Sequence, residues 1–339
     1  MMEKPTREIW VDNVKVIACV LVVSGHFYMS MVASNILPDS DLFQWFKQTV
    51  YYFHVYLFFI CSGYLYQKLN RINDVHSWWK NILKKALCLG VPYFTFSIAT
   101  WLLKTIFSSS VNTEIGGLFD TLFLHPTAPY WYLYALFFLF LITPTFQNKK
   151  KAIMGLAVAI AFKFIWIFEG GYGVRVISYV LSNEIWFVIG MCLNILNIFE
   201  KKYSRKKNLV LPSAIGVLFL LLSILIYVNS IENEIISFLM GILACSSVVM
   251  IIKNIFDNRR QSAVFGVLAK YTMPIFLMHT IFAASVRTVL FKLEIQDAAI
   301  HIVLGIAISF IGPMIAAIIM KKTKWLEFFL YPGRFIKIK

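Results

Sequence analysis

Apolar runs of about twenty residues, separated by short polar breaks, recur along almost the whole chain. A helix of that length rises about 30 Å, enough to cross the hydrocarbon core of a bilayer. The pattern predicts ten helices, near residues 9–32, 43–66, 83–107, 130–147, 152–168, 174–198, 208–229, 234–253, 264–290 and 298–320. The second and third are the least regular, because Lys47 and Pro92 interrupt them. Neither a fixed-period repeat nor a low-complexity linker divides the chain. Residues 1–339 therefore read as a single all-α, polytopic membrane domain.

Charge sorts the breaks into two classes. One class holds Lys4 and Arg7; Lys68, Arg71 and Lys80, followed by Lys84 and Lys85; Lys149 to Lys151; and "KKYSRKK" from Lys201. It continues with Lys253, Arg259, Arg260 and Lys270, then Lys321, Lys322 and Lys324. The intervening breaks carry Asp39 and Asp41, Glu114 and Asp120, Glu169, Glu232, then Glu294 and Asp297. Lys104, Arg175 and Lys292 are the few basic residues on that second side. Lys and Arg are retained in cytoplasmic loops. The alternation thus predicts ten spans with both termini in the cytoplasm.

Composition agrees: 59% of residues are apolar and 14% charged, against about 45–50% and about 25% in soluble domains. The net charge of +15 is explained by the cytoplasmic loops, so nucleic acid is not an expected partner. Five scattered cysteines without a C-x-x-C pair point to neither a disulfide framework nor a zinc site. The first run exceeds the roughly 7–15 residues of a signal-peptide core and contains Lys15 and His26, so it reads as a retained span. No P-loop, H-E-x-x-H or G-x-S-x-G motif is present, which disfavours ATP-driven transport and zinc hydrolysis.

An ionisable side chain in mid-bilayer costs at least about 2.5–3.5 kcal/mol, so each is a functional candidate. Lys15 and His26 are eleven residues apart, close to three whole turns, and share one face about 16 Å apart along the axis. Asp12 lies three residues before Lys15, where it can pair with it. In the second run, His54 lies near the outer end and is amphipathic enough for the interface, while Ser62-Gly63 signals close helix packing. Lys84 and Lys85 precede Pro92 at the inner boundary, as topology or phosphate binding would require. His125 and Trp131 lie at the outer surface, in an aromatic cluster that suits a membrane belt or stacking on a sugar. Glu184 is a buried carboxylate about ten residues into its span. His279 and Arg287 share a face of the ninth run, and Lys163 is placed to snorkel outward.

Four of these segments, in this order, resemble the bacterial membrane acyltransferases of the acyltransferase-3 group, which O-acylate extracytoplasmic glycans. "WVDNVKVIACVLVVSGH" is similar to that family's Asp-x-x-Arg…His opening, with Lys15 where arginine is usual and His26 at the histidine. "FHVYLFFICSGYLY", "YWYLYALFFLFLITP" and "YTMPIFLMHTIF" look like its second, fourth and late helices. Where members carry an R-x-x-R pair before the third-helix proline, this chain has Lys84 and Lys85, with Cys88 at the second arginine.

The resemblance implies a multi-pass enzyme of the cytoplasmic membrane with no bound cofactor or metal. It would take an acyl group, acetyl most often, from cytoplasmic acyl-CoA held by Lys15, Lys84 and Lys85. The group would pass to a hydroxyl of an envelope glycan or lipid-linked sugar, with His26 as general base and Glu184 as its carboxylate partner. Asp12, His54, His279 and Arg287 would support the site, and Trp131 and His125 would face the acceptor. The buried histidines and Glu184 also suit a proton relay in a coupled transporter or glycan exporter.

Overall fold

The computed structural model describes residues 7–70, 72, 74–108, 115–170, 173–199, 205–256 and 261–338. Lys4, Arg71, Glu114, Lys201, Arg259 and Arg260 of the charge pattern lie outside these residues. Helices dominate, and no strand occurs among the described residues. In chain order they are α1 (Ile9–Ala33), α2 (Asp41–Tyr51), α3 (His54–Leu69), α4 (Val75–Lys85), α5 (Val91–Ile106), α6 (Trp131–Ile142) and α7 (Lys149–Glu169). There follow α8 (Arg175–Ile195), α9 (Arg205–Val228), α10 (Glu234–Phe256), α11 (Ala263–Lys292), α12 (Ala298–Lys322) and the short α13 (Trp325–Leu330). A π-helical turn, Ala86–Gly90, joins α4 to α5 without a break.

Among the described residues, eight helices are long and apolar enough to cross a membrane, with α4, the π-turn and α5 counting as one. The chain is a multi-pass membrane protein. The other two expected helices differ from expectation. The second is split at Tyr52 and Phe53, where Phe53 has φ −149° and leaves the helical basin. Its second half, α3, has 16 residues, about 24 Å. The fourth, α6, has 12 residues, about 18 Å. Both pack against other helices, and irregular backbone at membrane depth is tolerated where protein covers it.

Local chemistry sets the ends. Asn148 caps α7 by accepting from the Lys151 N–H at 2.9 Å, and Gly170 closes it with φ +67°, a conformation glycine reaches without strain. Asp74 and Ser77 form a reciprocal cap on α4.

The bundle is built around α1, α3 and α8. A Cβ on Gly63 of α3 would lie 1.9 Å from the Phe187 carbonyl oxygen, and one on Gly190 of α8 would lie 2.0 Å from that of Ile60. The two backbones are therefore in direct contact, as Ser62-Gly63 predicted. Around this core, Leu218, Leu221 and Leu225 of α9 and Ile311, Ile315 and Ile319 of α12 turn outward. Such apolar stripes suit lipid rather than water.

Candidate active site

Arg7, Lys68, Lys85 and Lys15 gather at the end of the bundle where α1 begins, its basic end; the end where α1 finishes is the distal end. At the basic end the Lys68 ammonium pairs with Glu8. Arg7 holds the Asp12 carboxylate at 2.5 Å. Asp12 is thus engaged by Arg7 and not by Lys15, because the chain entering α1 brings a guanidinium alongside it. Lys15, Lys84 and Cys88 are the electrostatic neighbours of Lys85. The Lys85 ammonium sits 3.8 Å from the centre of the Phe140 ring and 5.8 Å from that of Tyr66. Lys84, one position earlier, is exposed. The chain's end returns here: a Cβ on Gly333 would lie 2.8 Å from Cys88 Sγ, so the turn after α13 packs on the π-turn.

Glu184 lies apart from His26. Its Oε1 accepts from Thr143 Oγ1 at 2.6 Å, Tyr66 is its electrostatic neighbour, and its Oε2 is buried without a partner. It therefore fastens α8 to the end of α6, on the side of Tyr66 and Lys85. Lys163 does not reach outward: it is 3% exposed, with its ammonium 4.1 Å from the centre of the Trp166 ring.

A cavity of about 530 Å³ occupies the distal half of the bundle. Its inner part carries His26 of α1 and His279 of α11, and it extends to Ala33, Phe107 and Lys292 at the helix ends. The His26 and His279 rings lie 5.5 Å apart, centre to centre. His279 Nδ1 lies 3.0 Å from the Ile275 oxygen and 2.9 Å from the Phe276 oxygen. Carbonyls only accept, so Nδ1 carries the proton and Nε2 presents a lone pair. That Nε2 is buried and unpartnered. His54 is also buried, not interfacial, and its Nδ1 donates to the Val50 carbonyl at 2.7 Å. It is an electrostatic neighbour of His26. Two of the three imidazoles are thereby fixed as proton acceptors at Nε2. No group of described residues is arranged to hold a metal ion.

Arg287 lines the same cavity as His279, as their shared face predicted, and donates to Ser30 of α1. Lys104 and Lys292 also line it. Sequence reasoning passed over both, although each was an exception to the charge alternation. His125 and Trp131 are not among the lining residues. His125 is exposed and pairs with Asp120 at 2.6 Å, and Trp131 stacks on Tyr179 with ring centres 5.2 Å apart. The segments either side are tied to the cavity wall by Tyr130. Its hydroxyl donates to the Leu277 carbonyl at 3.0 Å, so it accepts from Thr100 Oγ1 at 2.7 Å.

Neither a search of curated proteins nor one of solved structures found a match to this chain. A sequence profile for the acyltransferase domain of family 3, in contrast, matches residues 8–318. That interval holds every helix from α1 to α11, nearly all of α12, and both histidines of the cavity, so this membrane protein belongs to acyltransferase family 3.

Proposed function

We propose that this membrane acyltransferase moves an acyl group, acetyl in the simplest case, from acyl-CoA to a hydroxyl of an envelope glycan. The observation that supports this most is the two-sided arrangement on α1. Lys15 lies among cations at the basic end, and His26 lies about 16 Å further along the axis, in a cavity reaching the distal end. In this reading the basic end faces the cytoplasm, where acyl-CoA is found. Its phosphates meet Lys15, Lys84 and Lys85, and its acyl end extends along α1 toward His26. The glycan enters from the distal side.

In the chemical step, neutral His26 takes the proton of the acceptor hydroxyl as that oxygen attacks the thioester carbonyl. The C–S bond breaks, the new ester C–O bond forms, and the proton passes to the departing CoA thiolate. In this reading His279 takes the orienting role that the sequence suggested for Glu184, supported by the free lone pair on its Nε2 and the 5.5 Å between the two rings. Lysine in place of arginine keeps the charge that attracts phosphate and gives up the bidentate fork.

The test is purified protein in lipid nanodiscs, supplied with acetyl-CoA and followed by thioester loss. In parallel, envelope glycans from cells with and without the gene are compared by mass spectrometry. His26→Ala should insert and purify normally yet lose about 10²–10⁴-fold in rate and abolish glycan acylation. Full acylation by that variant would remove the proposed base. An intact thioester under all conditions would favour transport.

A further inference from the structure

The basic residues of the distal side do not scatter at random. Of the three that break the charge alternation, Lys104 and Lys292 line the cavity, and the in-span Arg287 lines it with them. Among the described residues, no Asp or Glu lines the cavity. The hydrogen-bond partner of Arg287 is Ser30, through its hydroxyl and its carbonyl at 3.4 Å, both uncharged. A cation held within a span is costly, and a binding site that supplies the counter-charge offsets that cost. Positive-inside topology also works against basic residues on this side. Membrane insertion thus does not account for the in-span Arg287, and an anionic ligand in the cavity that Lys104 and Lys292 also line would supply its counter-charge.

We propose that the distal cavity is an oxyanion-binding subsite, and that the glycan it accepts is negatively charged, carrying phosphate or carboxylate. This rests on the acyl-transfer reading for the word acceptor, but the anion site itself does not. Arg287 follows His279 by eight residues on one helix, about 12 Å along the axis. That exceeds the reach of a substituent on the sugar being acylated. The charge therefore belongs to a neighbouring unit of the polymer, or to the phosphate linking a sugar to its lipid. Arginine matches the planar, two-oxygen geometry of either anion, and the lysines add attraction at the mouth.

The experiment uses the full chain in zwitterionic nanodiscs and three matched probes: a neutral trisaccharide, its phosphorylated form and its uronic-acid form. Binding is measured by calorimetry at two salt concentrations, and acylation from acetyl-CoA is followed with each probe. A charged trisaccharide should bind at least about tenfold more tightly than the neutral one, as a hydrogen-bonded charge pair implies. Salt should weaken that preference, and whichever charged probe binds better identifies the anion. Arg287→Gln should abolish the preference, Arg287→Lys should keep part of it, and Lys292→Gln should reduce it. Gel filtration of Arg287→Lys guards against misfolding. Equal binding of charged and neutral probes, no binding by either charged probe, or a preference unchanged in both Gln variants would overturn the proposal. Charge-selective binding without thioester cleavage would keep the anion site and sink the acyltransfer reading. Equal acylation of neutral and charged probes with equal affinities would do the reverse.

Discussion

The imidazole rings of His26 and His279 lie 5.5 Å apart, although one belongs to the first helix and the other to α11. They share a cavity, and the Nδ1–H of His279 is committed to its own helix. In the proposed mechanism the unpartnered His279 Nε2 accepts from His26 and so fixes the tautomer of the base. His279→Ala should therefore lower kcat about 10²-fold while changing KM for acyl-CoA little. His279→Gln, whose amide oxygen can approximate Nε2, should recover part of the loss. Steady-state kinetics of the two variants checks this; equal damage from both, with KM rising as much as kcat falls, would mark a merely structural histidine.

Gly63 and Gly190 make a second, mutual contact. Each sits where a methyl group would enter a backbone carbonyl of the facing helix. No side chain can swing aside to make room, so the helices must separate. Gly63→Ala or Gly190→Ala should cost at least the roughly 1–3 kcal/mol typical of overpacking. Lower yield and a lower melting temperature in detergent would show it. Mutants of unchanged stability would mean that α3 and α8 can slide apart cheaply.

Much of this was legible in the sequence, and the parts that were not share a cause. Apolar run length located the long helices, because lipid imposes it on each segment independently. The phase of Lys15 and His26, and of His279 and Arg287, was legible because a helix repeats every 3.6 residues. Ser62-Gly63 marked a close approach, though not that Gly190 completes it. Partners across helices were harder to foresee. Asp12 turned to Arg7, and Glu184 found Thr143, since nothing local says which helices touch. His54 looked interfacial because it is amphipathic and lies near the outer end of its run, whereas it starts a new helix after the break at Phe53 and is buried. Lys104 and Lys292 carried a readable signal, a basic residue on the acidic side, and only the fold shows that both answer to one cavity.

Neighbouring lysines at the basic end should behave differently. Lys85 is directed inward against Phe140 and beside Lys15, while Lys84 is exposed. A phosphate held at a partly desolvated ammonium gains more than one held at a solvated surface charge. Lys85→Met should raise KM for acyl-CoA about tenfold, and Lys84→Met by less than about threefold. Thioester-loss kinetics across a range of acyl-CoA concentrations distinguishes them. The reverse ranking would place the donor's phosphates on the outer face of α4.

Cys88 offers a probe of the donor side that needs no mutation of a charged group. It sits in the π-helical turn, half-buried, with the turn after α13 against its sulfur. Cys19, Cys61, Cys192 and Cys245 are all buried within the bundle. A water-soluble maleimide should therefore modify the native protein at Cys88 first, by one equivalent, as peptide mass spectrometry would read. Lys85 is an electrostatic neighbour of this thiol, so a donor resting there must pass close to it. Acyl-CoA should then slow the labelling in a concentration-dependent way, while free acetate should not. Labelling unaffected by saturating acyl-CoA would mean that the donor approaches elsewhere, and Lys85 would lose its place in the site.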